Sequence, residues 1–291
     1  MHDYLRSVGL KTCTTRKQLH ELTDWVLQKP GRVNVVPVGE DGSLAVAERD
    51  FTGGAGISVV GEIDEDGALV PEYYFPYISS GLISSEAEIT YEHQKTKSAL
   101  IGMCEDYRLG MALIFTVRNL GEVLKNELNG PFALPFTKVA VSALCSDAMV
   151  LLPVEQTKKV EARVQNDEAR KSKLMEEACN GSISAIQELT NDEMDKYRRI
   201  MDHLHDTDIY TLVDHFFMPH GMESDQYYFM GTISGAEEFT NELTDEKFWR
   251  ITLESNGIPL TAAVNAADLQ GIPAPGYRLK CHAWILGELK R

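Results

Sequence analysis

The sequence has no paired cysteines, no long apolar run and no surplus of positive charge, and each absence removes a class of function. Its five cysteines, Cys13, Cys104, Cys145, Cys179 and Cys281, are odd in number and widely scattered. No C-x-x-C occurs, so neither a zinc knuckle nor a thioredoxin-type dithiol is indicated. Reduced thiols in a cytoplasmic protein are the expectation. No apolar stretch approaches the roughly 18 residues that span a bilayer. The opening Met-His-Asp-Tyr-Leu-Arg lacks the basic start and apolar centre of a signal peptide.

Basic residues are outnumbered, 28 Lys and Arg against 44 Asp and Glu, for a formal charge of −16. Phosphate recognition draws on clustered cations, so nucleic acid and anionic membranes make poor partners; a protein or a small ligand remains, and oligomeric state is not set. Catalytic signatures are missing too. There is no G-x-S-x-G elbow, and Gly53-Gly54-Ala55-Gly56 runs into a strand pattern rather than a helix, which suits a turn and not a phosphate loop. No catalytic residue, cofactor or metal is assigned.

What is present is an ordinary globular composition, 43% hydrophobic and 25% charged over 291 residues, enough for two cores. A capping box, Thr15 with Gln18, starts a helix over 14–28 with Leu19, Leu22, Trp25 and Val26 on one face. From Val33 to Pro153 the pattern is strand-like. Residues 56–63 and 69–77 form a hairpin around Asp64-Glu65-Asp66-Gly67. Strands follow at 89–93, 99–104 and 111–117, Asn119 caps a short helix, and a last hairpin over 139–153 turns at Ser146-Asp147. Residues 155–180 are a charged helix with a thin apolar seam. Short amphipathic helices continue to Phe217. The expected fold is α+β: an antiparallel sheet with flanking helices at 1–154, a helical connector at 155–217, and a small OB-like β-barrel at 218–291, whose fifth strand is not separately visible.

The C-terminal part carries the best binding candidate. Asn256-Gly257 is the strongest hairpin signal in the chain, joining 248–255 to 258–265. Alternation places Trp249, Ile251 and Leu253 with Leu260, Ala262, Val264, Leu279, Cys281, Ala283 and Ile285 on one face. The opposite face holds Phe248, Arg250, Lys280, His282 and Trp284, an aromatic and basic mixture suited to stacking and anion contact. Two arrangements accommodate it: an open binding surface, or packing of Trp284 beneath the helices of 182–217 with the bases as rim charges.

Histidines gather at His203, His205, His215 and His220, near Asp208 and Asp214. Imidazoles with carboxylates suit divalent metals, yet His203 and His205 point apart on a helix and no H-x-x-x-H is present. Pro219 and Gly221 mark 218–226 as a hinge between domains, with His220, Glu223, Asp225 and Tyr227 as its junction residues.

Several stretches together resemble an uncharacterised bacterial family, a domain of unknown function from Gram-positive anaerobes. They are Tyr227-Tyr228-Phe229-Met230-Gly231-Thr232-Ile233, Asp268-Leu269-Gln270-Gly271 and Trp284-Ile285-Leu286-Gly287, with Met1 to Gly9, Glu72-Tyr73-Tyr74-Phe75-Pro76-Tyr77, Leu113-Ile114-Phe115 and Phe217-Met218-Pro219. The resemblance implies identity and compartment and brings no catalytic residues. The expected function is a non-enzymatic binding or protein-interaction role. The alternatives are a metal-assisted, hydrolase-like enzyme using His203, His205, Asp208 and His220, and a structural subunit assembling through 155–180.

Overall fold

The computed structural model describes residues 3–38, 42–93, 99–153, 213–221 and 224–291, with isolated positions between 173 and 188. It divides into two units, residues 1–151 with 215–291, and residues 152–214. The charged helix at 155–180 and the helices beyond it fall mainly outside the described residues; helical turns stand at 173–175, 177–178, 184–185 and 187–188. Among the described residues no helix is long and apolar enough to cross a membrane.

The first unit is mostly β, so the α+β expectation holds broadly. Four strands, β1 (Arg32–Val38), β2 (Gly42–Asp50), β3 (Ala55–Ile63) and β4 (Leu69–Ile78), form an antiparallel sheet in chain order. The β3–β4 turn has the expected chemistry, with Asp64 Oδ1 accepting from the backbone of Asp66 (3.1 Å) and Ala68 (2.7 Å). Helix α1 (Arg16–Gln28) begins at the Thr15–Gln18 capping box and buries Leu22 and Val26. Helix α2 (Leu120–Glu127) follows Asn119, but that side chain does not cap it. Its amide instead exchanges two hydrogen bonds of 2.9 Å with the backbone of Leu289, imitating a strand partner.

All other strands join one ten-stranded sheet: β5 (Ile89–His93), β6 (Leu100–Cys104), β7 (Leu113–Val117), β8 (Lys138–Leu151), β9 (Phe216–Pro219), β10 (Gln226–Thr240), β11 (Lys247–Ser255), β12 (Ile258–Asn265), β13 (Leu269–Gln270) and β14 (Arg278–Lys290). Part of it closes. Strand β8 pairs parallel with β12, β12 with β11, β11 with β10, β10 with β14, and β14 antiparallel with β8 over thirteen residue pairs. The result is a five-stranded barrel whose fifth strand comes from residues 138–151. Its interior is apolar: Cys145, Tyr227, Phe229, Leu279, Cys281, Ala283 and Ile285 are all buried.

Three expectations change. The hairpin placed over 139–153 is one 14-residue strand, and Ser146-Asp147 forms a β-bulge in it, where the register against β14 slips between His282 and Ala283. Turn-forming residues also suit a bulge, which needs one unpaired position and not a reversal. The helix drawn to Phe217 gives way before Phe216, because Phe216 and Phe217 pair with Met230 and Phe229 in β9–β10. The supposed hinge is thus the loop of a hairpin. Finally, residues 1–154 and 218–291 are not grouped apart, since β8 of the first stands between β12 and β14 of the second in one barrel.

The N-terminal residues strap this barrel. Asp268 takes Arg6 through both carboxylate oxygens (2.5 and 2.8 Å) and Lys11 at 2.9 Å. Glu246 accepts from the backbone of Lys11 (2.9 Å) and Thr12 (2.7 Å). A buried charge cluster ties the four-stranded sheet to the barrel: Arg118, 5% exposed, lies 3.9 Å from both Glu48 and Glu288, with its guanidinium 4.2 Å over the Tyr77 ring. Burial pushes the Glu48 carboxyl up, and Arg118 and Arg32 offset only part of that.

Candidate functional site

The five residues read as one binding face part company in the barrel. Phe248 is fully buried and stacks on Phe239 at 5.9 Å. Trp284 is also buried, stacked on Tyr4 at 5.7 Å and edge-on to Phe75 at 6.2 Å. Arg250 is half-buried beside Gly54, and its Nε has no hydrogen-bond partner among the described residues. Lys280 and His282 are half-buried on the outer side of β14. Alternation along a strand assigns faces correctly but is silent about what covers them. Here the N-terminal 3₁₀ turn and β4 cover the outer face around Trp284.

The junction residues divide as well. Asp225 Oδ2 accepts from Trp284 Nε1 (2.6 Å) and Thr116 Oγ1 (2.8 Å), so a residue from each sequence-derived group meets in one lock. Tyr227 is buried, and its hydroxyl accepts from the Ile114 backbone at 2.8 Å. Burial first, then the Asp225 charge, pushes the Tyr73 phenol up to about 12 and raises Tyr4 and Tyr227 in the same direction. These phenols stay neutral, which suits a structural lock. Glu223, His203, His205 and Asp208 lie outside the described residues.

His220 and His282, read separately from the sequence, come together. The ladder sets Met218 opposite Tyr228 and Tyr228 opposite His282, so the three form one rung across β9, β10 and β14. His220 follows Pro219 on the same side and bonds backbone to backbone with Gln226 at 2.7 Å. Three rings then pack pairwise, with centroids 5.2 Å apart for His220 and Tyr228, 5.0 Å for His220 and His282, and 4.6 Å for Tyr228 and His282. Tyr228 is 38% and Met218 57% exposed, and His220 is open to solvent.

The bulge supplies the fixing contact. Ser146, the unpaired residue, sits with its Oγ 3.0 Å from His282 Nδ1, while Asp147 Oδ1 accepts from the His282 backbone N–H at 3.3 Å. The imidazole Nε2 is buried with no hydrogen-bond partner among the described residues. Burial first, and then His220 close by, lowers the His282 pKa below the ordinary 6.5, outweighing the pull of Asp147. At neutral pH His282 is therefore an uncharged ring clamped in a set orientation. Sequence reasoning missed Ser146, which it assigned to a turn, and did not single out Tyr228, although alternation from His282 would have placed it on this face.

The pair of Ser146 and His282 has the spacing of a nucleophile and its base. However, the carboxylate of Asp147 is engaged by the backbone, and no carboxylate orients the imidazole among the described residues. Among those residues, also, no group of three His, Cys, Asp or Glu is placed to hold a metal ion. The arrangement is chemically a ring surface with hydrogen-bonding edges.

A family model matches residues 5–287; its description is a domain of unknown function, named from an E. rectale gene description (DUF3881). No curated protein and no solved structure matches the chain. The resemblance read from the sequence motifs is borne out over nearly the full length.

Proposed function

The chain belongs to this family, whose description names no chemistry, and from the geometry we propose that it is a binding protein built on an OB-type barrel, docking a protein or peptide partner through the rung Met218–Tyr228–His282 with His220. The OB reading is supported by connectivity. A three-stranded meander, β10–β11–β12, is followed by a short 3₁₀ turn, then β14 returns beside β10. Strand β8 closes the barrel parallel to β12 and antiparallel to β14. These are the neighbour relations of an OB barrel whose last strand enters from the N-terminal side. Long β10 pairs with β14 over 226–232 and with β11 over 232–240, and the second ladder shifts register between Ile233 and Gly235.

OB barrels commonly bind ligands on the wall of their second and third strands. The corresponding wall, β11–β12, is occupied by the chain itself. Ser84 Oγ donates to the Pro259 carbonyl (2.6 Å), and Thr261 Oγ1 bonds to Ser80 Oγ (3.2 Å). Binding therefore shifts to the opposite wall. The single observation that carries this reading is the ring triangle itself: three rings within 4.6–5.2 Å, one clamped by Ser146, beside an exposed, deformable methionine. Aromatic anchors with adaptable rims typify protein-docking sites. The acidic chain selects partners that are neutral or basic.

The test places a photo-crosslinking residue at Met218 or Tyr228 in cells, with exposed Glu62 as the control position. Adducts of defined mass are expected at 218 and 228 and not at 62, and they should vanish with His220→Ala. Identical profiles at all three positions would rule the surface out.

A further inference from the structure

A concavity lies away from the ring triangle, where helix α2 meets the end of β14. It is a cleft of about 570 Å³ between Lys125 and Asn126 on α2, Phe136 just before β8, and Leu289, Lys290 and Arg291. Leu289 is buried and Phe136 half-buried, which gives the cleft an apolar floor and one aromatic wall. Tyr91 braces that wall edge-on at 6.4 Å.

The rim is cationic in a chain of net charge −16. Two acids also line it, and both are engaged. Glu288 faces Arg118 at 3.9 Å and Lys290 at 3.8 Å, and Glu122 faces Arg32 at 3.1 Å. Lys125 is exposed and makes no ion pair among the described residues. Arg291 spends one nitrogen on Asn126 Oδ1 at 3.1 Å, an uncharged acceptor, and lies 5.6 Å over the Phe136 ring. Asn126 is itself held by two bonds to the Leu134 backbone, 2.8 and 3.2 Å. The cleft thus pairs an apolar, aromatic floor with two cations, Lys125 and Arg291, that no side-chain carboxylate among the described residues neutralises.

We propose that this cleft is a binding site for a small organic anion, with its ring or aliphatic body on Phe136 and Leu289 and its carboxylate or phosphate toward Lys125 and Arg291. An apolar pocket with a few convergent charged groups is the usual form of a small-molecule site. A guanidinium already bonded to Asn126 and set over an aromatic ring is partly ordered before the anion arrives, which lowers the cost of binding.

Calorimetry on the full chain with phenyl phosphate and phenylacetate tests this. Saturable 1:1 binding with Kd below about 1 mM is expected for at least one of them. Inorganic phosphate, which lacks the ring, and benzyl alcohol, which lacks the charge, should each bind at least tenfold more weakly. Lys125→Glu and Arg291→Ala should each weaken the organic anion tenfold or more. Both residues are exposed, so an unchanged thermal transition will show that the fold is intact. Exposed Lys247→Glu, on β11, should leave the affinity unchanged. Absence of saturation with both probes overturns the proposal, as does binding indifferent to the Lys125 and Arg291 changes.

Discussion

At the residue scale, His282 shows how one bulge converts a surface imidazole into a fixed, neutral ring. Its folded pKa lies below 6.5, so between that value and 6.5 the unfolded chain binds the proton more readily than the folded one. Stability therefore falls as pH drops through 6.5 and goes on falling until the folded imidazole is protonated. Replacing His282 by Gln should flatten this part of the profile. Thermal midpoints of the two proteins should converge as pH falls from about 7 to about 5. Parallel profiles would mean that the ring titrates as freely in the fold as in water. Ser146→Ala offers a companion reading: the clamp is lost while burial and His220 remain, so the pH slope should survive.

The residue roles legible in the sequence were those fixed locally. Thr15 and Gln18 needed only two intervening positions to meet, and Asp64 only its own turn. Ser146 was not legible, because a bulge and a turn draw on the same residue types, and only the partner strand 136 residues away decides between them.

At the element scale, most strands were readable from periodicity, β9 and the unbroken length of β8 excepted, while pairing was not. The hairpin at Asn256-Gly257 appears as read, with both residues at positive φ (51° and 74°). The closing strand did not appear as a barrel strand because it precedes the meander by about 75 residues of chain, and alternation carries no information about distant partners. One interface shows what that long-range pairing demands. Strand β7 lies between β6 and β14, and its Phe115 ring lies across the backbone of both neighbours. A Cβ on Gly102 or Gly287 would come within 2.2 Å of that ring. Gly287→Ala should therefore cost about 1–3 kcal/mol or more as overpacking. It should lower the urea midpoint, and Phe115→Leu should restore part of the loss in the double variant. An unchanged midpoint in the single variant would mean that β7 and β14 can move apart freely, against the packing seen here.

At the scale of the whole molecule, the controlling fact is that neither end of the chain completes the barrel alone. Strand β14 makes thirteen residue pairs with β8 and seven with β10, and β8 also covers the free side of β12. Without residues 138–151, both β12 and β14 are left as long open edges, which favour aggregation over folding. Without the rest of residues 1–151 the N-terminal strap is lost as well, since Asp268 and Glu246 then face neither Arg6 nor the backbone of Lys11 and Thr12. Both carboxyls are held below their ordinary range: burial opposes this, and hydrogen bonds from the strap outweigh it. Their contribution is thus present above the ordinary carboxyl pKa and lost as pH falls through the folded values.

A fragment of residues 216–291, which contains the segment 218–291 expected from sequence to form an OB-like barrel, should accordingly show no cooperative unfolding and no dispersed amide spectrum. Adding a separate fragment of residues 1–151 should restore both, because it carries the missing strand and the strap together. A 216–291 fragment that folded sharply on its own would mean that β8 is an addition to a barrel already closed. The thirteen-pair seam makes it the strand that closes it.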